Sequence, residues 1–247
     1  MQNLFTLCGK TILVTGASSG IGRAIAIACA EQGADVILNG RNRLRLEETL
    51  RMMLGVEKHR IISADLTDEA QRHVLAEQVP VCHGVVHCAG IGSRVLCKML
   101  ESDDVQHVME VNFNASVLLQ AELLREKKIA KEASIVFIAS AAATMPSVGN
   151  AIYSASKAAI ISYAKCLAQE LASRKIRVNC ISPAMVWTDL TLVGASEGQL
   201  REAEQAYPLK RYAQPEDIAP MAVYLLSDEA AWVTGSNMEL TGGTQTL

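Results

Sequence analysis

A chain of 247 residues with a formal net charge of −3 fits one large α/β domain, and its charge supplies no general field for nucleic acid or an anionic membrane. Half of the residues are hydrophobic but only 4% are aromatic, so the core is expected from Ala, Val, Ile and Leu, as helices on a parallel sheet require. The seven cysteines show no paired CxxC spacing and most lie in apolar runs, where thiols act as small hydrophobes; with no basic leader before a long apolar stretch, a soluble, unprocessed, cytoplasmic protein is expected.

Thr11 to Gly22 reads as an apolar strand that breaks into a glycine-rich turn and then a helix. Gly16 can leave the strand in a conformation closed to residues with a Cβ, Gly20 lets main chain approach a pyrophosphate, and Gly22 lets the helix lie close to the sheet. The new helix presents unpaired N–H groups and the positive end of its dipole. Alone, this spacing also fits any strand-turn-helix. Ile21, Ala24, Ile25, Ala28 and Cys29 recur at helical spacing until Gly33, and a second strand, Asp35 to Leu38, completes a βαβ unit.

After the second strand of such a unit an acidic residue binds the ribose 2′-hydroxyl, whereas an Arg suits a 2′-phosphate. Here the sequence is Asn39-Gly40-Arg41-Asn42. NADP is therefore expected over NAD, the alternative being that Arg41, Arg43 and Arg45 are merely solvated. Residues 43 to 54 look helical and Arg60 to Ser63 reads as a strand. In the following stretch Asp65 or Thr67 can cap a helix from Asp68.

Gly84 to Cys88 reads as the fourth strand, running into Ala89-Gly90, and a long helix from about Ser102 to Lys127 carries Asn112 in its middle. The fifth strand, Ser134 to Ala139, delivers Ser140 at its carboxyl end, where ligands gather in open parallel sheets. A helix from Ala151 to Ser173 is apolar on more than one face, which calls for a partner subunit as cover. Lys175 to Ile181 reads as the sixth strand, leading into Ser182-Pro183-Ala184. The mixed, poorly periodic segment from Leu190 to Tyr207 reads as a mobile lid. A helix from Pro215 to Leu226 and a strand from Asn237 to Leu240 close the sheet.

Tyr153 and Lys157 stand four apart, hence on one helical face. A nearby ammonium stabilises a phenolate, which eases proton exchange by the phenol near neutrality. The expected chemistry is hydride exchange between a nicotinamide and a carbonyl carbon, with Tyr153 protonating the oxygen and Ser140 hydrogen-bonding it. Separately, Tyr with Lys at i+4 also fits packing plus a solvated amine, and Ser140 a strand-end cap. The five histidines, at 59, 73, 83, 87 and 107, offer no metal set, and no metal is expected.

Thr15-Gly-Ala-Ser-Ser-Gly-Ile-Gly22, Tyr153-Ser-Ala-Ser-Lys157, Arg177-Val-Asn-Cys-Ile-Ser-Pro183, Pro215-Glu-Asp-Ile-Ala219 and Val233-Thr-Gly235 together resemble the short-chain dehydrogenase/reductase family over almost the whole chain. Among its members, those acting as 3-oxoacyl carrier-protein reductases and hydroxysteroid dehydrogenases are most similar. The resemblance implies a single Rossmann-type α/β domain over residues 1–247, doubly wound, with about seven parallel strands in the order 3-2-1-4-5-6-7 and a substrate lid at about 184–210. It implies a cofactor cradle of Gly16, Ser18, Ser19, Gly20, Ile21, Gly22, Arg41, Asp65, Leu66, Cys88, Ala89, Gly90, Tyr153, Lys157, Pro183, Ala184, Val186 and Thr188. Asn112, Ser140, Tyr153 and Lys157 become the catalytic set, Asn112 at a helix irregularity and Lys157 also holding the ribose.

NADP(H) is the implied cofactor, with NAD(H) the alternative. The implied substrate is a small carbonyl compound or alcohol, first of all a 3-oxoacyl thioester on a carrier protein, against a wall of Ile91, Met145, Val148, Met185, Trp187 and Leu190. Arg174, Lys127 and Lys128 are candidates to meet an acidic carrier, and a homotetramer or homodimer is implied. A sugar, polyol or steroid dehydrogenase, or a silent dinucleotide-binding protein, is the alternative. Three positions depart from the family pattern: Cys88 replaces an Asn, at an expected cost in sheet rigidity; Ala184 replaces a Gly, strained if φ is positive there; Thr241 replaces an Asp.

Overall fold

Ile12, Leu13 and Val14 have no exposed surface, because the strand they form, β1 (Thr11–Val14), pairs on one side with β2 (Asp35–Gly40) and on the other with β4 (Cys82–His87). Side chains alternate across a strand. Ile12 and Val14 therefore enter one apolar layer with Ile25 and Leu225, while Leu13 enters the opposite layer with Leu119 and Ile160. A sheet covered on both faces accounts for the unbroken apolar runs.

The computed structural model describes residues 4–192 and 196–244. Its sheet has seven parallel strands in the order β3-β2-β1-β4-β5-β6-β7, completed by β3 (Arg60–Ser63), β5 (Ile129–Ile138), β6 (Arg177–Pro183) and β7 (Asn237–Leu240). The expected order is thus found. The helices are α1 (Gly20–Glu31), α2 (Arg43–Arg51), α3 (Glu69–Gln78), α4 (Ser102–Met109), α5 (Ala115–Arg125), α6 (Ala151–Leu171), α7 (Glu197–Glu204) and α8 (Pro215–Leu226). Strand order reverses between β1 and β4, the point at which open α/β sheets bind ligands beyond their carboxyl ends.

Several expected boundaries move. β5 starts at Ile129, five residues early, because an irregularity beside Glu132, at φ +60°, lets pairing with β4 resume. β6 starts at Arg177 because Lys175, at φ +56°, ends the preceding helix in the left-handed region. The long helix of residues 102 to 127 is α4 and α5 joined through a π-helical turn, Glu110–Asn114. Asp68, rather than Asp65 or Thr67, caps α3, its side chain accepting from Gln71 N at 2.9 Å.

Ala184 does not have positive φ, so the conditional strain there is absent. The lid segment contains α7, which the sequence reading took as poorly periodic. The start signal was present: Ser196 and Gln199 form a reciprocal capping box. Gly194 and Ala195, part of that segment, lie outside the described residues.

Candidate active site

A crevice of about 1240 Å³ runs along the carboxyl ends of β1, β4, β5 and β6. All of the expected cradle residues line it, from Gly16, Ser18, Ser19, Gly20, Ile21 and Gly22 through Arg41, Asp65 and Leu66, Cys88, Ala89 and Gly90, to Pro183, Ala184, Val186 and Thr188. Gly16 has φ +66°, and a Cβ on it would lie 2.9 Å from Ala89 N. A Cβ on Gly22 would collide with Gly16 O. The turn is closed by backbone, that of Ala89 at Gly16 and its own at Gly22, which explains both glycines without any ligand.

Thr15 ties this turn to β4. Its Oγ1 accepts from Cys88 N at 3.0 Å and from Ala89 N at 3.2 Å. The stitch between the central strands therefore comes from Thr15, and Cys88 participates through its backbone. Burial pushes the Cys88 thiol up to about 12, against the opposing charge of Lys157, so the thiol stays protonated at neutral pH.

At the end near β2, Arg41 Nη1 lies 3.9 Å from Asp65 Oδ2. The chain has no acid directly after β2, but the fold brings one across from beyond β3. Asp65 Oδ1 also accepts from Thr67 N at 3.0 Å and Thr67 Oγ1 at 2.8 Å. Arg45 is paired with Asp189 at 3.0 Å, which links α2 to the start of the lid. A buried pair that the sequence reading missed underlies this end: Arg72 Nε donates to Glu122 Oε1 at 2.8 Å and Arg72 Nη1 to Leu66 O at 3.0 Å. Fifty residues separate the pair in the chain, and no local pattern signals it.

In the middle of the crevice, Ser140 caps a short helical turn, its Oγ accepting from Ala142 N at 3.1 Å. That bond occupies an acceptor position and leaves the hydroxyl proton available. Lys157 is buried, and its Nζ donates to Ile138 O at 3.0 Å, while lying 5.9 Å from the Tyr153 ring centre. Ser140, Tyr153 and Lys157 thus line the same crevice. Asn112 does not line it. It is 2% exposed and sits behind Gly90 and Ile91 at the π-helical turn, with Oδ1 accepting from Ile91 N at 2.8 Å and Nδ2 donating to Ile91 O at 3.0 Å and Ser156 Oγ at 3.1 Å.

The expected substrate wall is only partly found. Ile91, Val148, Met185 and Leu190 line the crevice, whereas Met145 and Trp187 do not. Trp187 stands among the lid aromatics, 5.6 Å from Tyr212, and its Nε1 donates to Glu204 Oε2 at 2.9 Å. Bonds from Tyr212 N and from that indole hold the Glu204 carboxyl below the usual carboxylate range. Tyr207 and Tyr212 line the crevice instead, together with the polar Ser93, Arg94, Ser147 and Asn150.

The candidate carrier-protein contacts lie elsewhere. Lys128 Nζ donates to Glu77 O at 2.7 Å and Val79 O at 2.8 Å, and Arg174 Nη2 donates to Ile129 O at 2.5 Å. With Lys127 they stand at the amino end of β5, a ten-residue strand whose far end leads to Ser140, a span of roughly 33 Å. Among the described residues no group of three or more His, Cys, Asp or Glu could hold a metal ion. His83 Nδ1 accepts from Thr11 N at 3.0 Å, and His87 stacks on Phe137 at 4.5 Å.

A family model described as enoyl-(acyl carrier protein) reductase matches residues 16–245. A 3-oxoacyl-[acyl-carrier-protein] reductase of Rickettsia felis is 34% identical over 242 residues, covering 97% of this chain and 98% of its own. Among solved structures, a gluconate 5-dehydrogenase from Beutenbergia cavernae with bound NADP at low occupancy superimposes with a TM-score of 0.88 at 31% identity, over 98% of both chains. An actinorhodin polyketide ketoreductase with NADPH gives 0.88 at 27% identity, over 95% of this chain and 96% of that one.

Fold, crevice and relatives define an NAD(P)-dependent oxidoreductase acting on carbonyl or alcohol groups. The chain belongs to the short-chain dehydrogenase/reductase family. Its residues fit the dinucleotide: the N-terminus of α1 lines the crevice, Gly16, Gly20 and Gly22 leave backbone open to it, and the buried Lys157 ammonium reaches its lining.

Proposed function

We propose that the protein reduces a 3-oxoacyl thioester or a similar ketone with NADPH. The observation that carries this reading is that Ser140, Tyr153 and Lys157 line one crevice, the Lys157 ammonium 5.9 Å from the Tyr153 ring. NADPH, when bound, supplies hydride to the carbonyl carbon. Tyr153 gives the proton to the carbonyl oxygen, and Ser140 donates a hydrogen bond to that oxygen with the proton its Ala142 bond leaves free. Lys157, fixed by Ile138 O, stabilises the phenolate left on Tyr153 and meets the ribose. Asn112 acts at one remove, by fixing the Ile91 backbone.

NADP rather than NAD is proposed because Arg41 and Arg45 both line the crevice beyond β2 and match a 2′-phosphate. The 3-oxoacyl substrate follows the naming of the Rickettsia felis relative. Single-domain organisation and a homotetramer or homodimer are part of the same reading. Supporting assembly, α6 exposes Ala155, Ala158, Ser162 and Cys166 along one side. Seven free thiols, three of them exposed, fit a reducing cytoplasm.

The test is NADPH oxidation against a panel of ketones and 3-oxoacyl thioesters. Turnover of the thioesters is the expected result. Silence across the whole panel, with NADPH still bound, would end the proposal.

A further inference from the structure

Four cationic side chains line the crevice, and three of them are already engaged: Arg41 by Asp65, Arg45 by Asp189, Lys157 by Ile138 O. Arg94 is the exception. Among the described residues it has no hydrogen bond, and no carboxylate lies within ion-pair distance of it. The only acidic residues of the lining, Asp65 and Asp189, are the ones facing the other two arginines.

Its side chain is exposed at the crevice, and the backbone beside it is anchored. Val95 N donates to Gly149 O at 2.8 Å, and the Arg94 stem passes beside Gly149, where a Cβ would stand in van der Waals contact with it, 3.4 Å from Cγ. Gly149 is four residues before Tyr153. Across the crevice, burial and then Glu204 raise the Tyr212 phenol, and the Arg94 charge opposes them. Arg94 therefore lies beside the loop that leads into α6 and within electrostatic reach of Tyr212, and Ser93, Ser147 and Asn150 line the same crevice.

We propose that Arg94 binds an oxyanion carried by the substrate: the carboxylate of a small oxo acid, or the phosphate of a thioester's pantetheine arm. A guanidinium without a counter-ion in a concave site offers the planar fork that carboxylate and phosphate match. The proposal rests on the reductase reading and names the substrate feature that the site selects.

The test uses the enzyme with NADPH and two matched pairs: levulinate against methyl levulinate, and acetoacetyl phosphopantetheine against acetoacetyl pantetheine. For at least one pair kcat/KM should favour the charged member by about ten- to hundredfold, and the pair that shows it identifies the source of the anion. Arg94→Ala should bring that ratio close to one, and Arg94→Lys should keep part of it. Equal rates within both pairs, or a preference that survives in Arg94→Ala, overturns the proposal.

If none of the four compounds is reduced, the reductase reading has failed and this one is still decided by binding. Calorimetric titration of the NADP-loaded protein should then show tighter binding of a charged member, lost in Arg94→Ala. Equal affinities, or charge-dependent binding that remains in the variant, would refute it.

Discussion

Asn112 grips both polar groups of Ile91 across 21 residues of chain, accepting from its N at 2.8 Å and donating to its O at 3.0 Å. A side-chain amide carries an acceptor and a donor side by side, the match for one residue's N–H and C=O. The loop after β4 is thereby pinned to the π-helical turn between α4 and α5, directly behind the crevice.

Asn112→Ala should leave two part-buried backbone groups of this loop without their partner and lower stability by about 1 to 3 kcal/mol. Asn112→Asp should not restore it, because a carboxylate has no proton for Ile91 O. Thermal melting reads both. A melting temperature unchanged in the Ala variant would show that the grip contributes nothing.

Tyr153→Phe removes the proposed proton donor and little else. The Lys157 ammonium keeps its bond to Ile138 O, so NADPH should still bind, while kcat falls about 10²- to 10⁴-fold. Binding by fluorescence and turnover by NADPH oxidation must separate in this way. Equal losses in both would point to a damaged cradle instead of lost acid catalysis.

Arg41→Ala combined with Arg45→Ala should erode cofactor preference. Each guanidinium is exposed and already faces a carboxylate, so screening limits its contribution, and a drop of about tenfold in the NADPH to NADH ratio of kcat/KM is expected. A ratio unmoved in the double variant would place the 2′-phosphate elsewhere.

His87 lies buried against Phe137, with Nε2 3.0 Å from Gln120 Oε1. Burial lowers its pKa to about 4, the Gln120 bond working the other way. An unfolded His takes its proton near about 6.5. The unfolded chain therefore gains the proton first, and stability is lost as pH falls from about 6.5 to about 4, by about 3 kcal/mol in all. His87→Leu should flatten that part of the pH profile relative to the parent. Parallel profiles for the two proteins would rule the histidine out.

Much of the molecule was readable from local pattern. Parallel strands buried on both faces must be apolar throughout, and Ile12-Leu13-Val14 with Val36-Ile37-Leu38 show it. Glycine positions in the first turn were readable because the positive φ at Gly16 and the contact of Gly22 with the Gly16 backbone are local requirements. Tyr153 and Lys157 fall on one face from helical spacing alone. Less regular was α7, whose Ser196–Gln199 box was a local signal left unread.

By itself the sequence determined where the chain turns, which residues must avoid water, and which chemical groups reach the carboxyl ends of the strands. Only the tertiary structure decided which of those groups are already satisfied. It turned Trp187 towards Glu204, spent Lys128 and Arg174 on backbone carbonyls far from the crevice, brought Asp65 to Arg41, and left Arg94 without a counter-ion among the described residues. The physical reason is that strand and helix periods are set by neighbours a few residues away, whereas the partner of a charge is whatever the folded chain brings within a few ångströms of it.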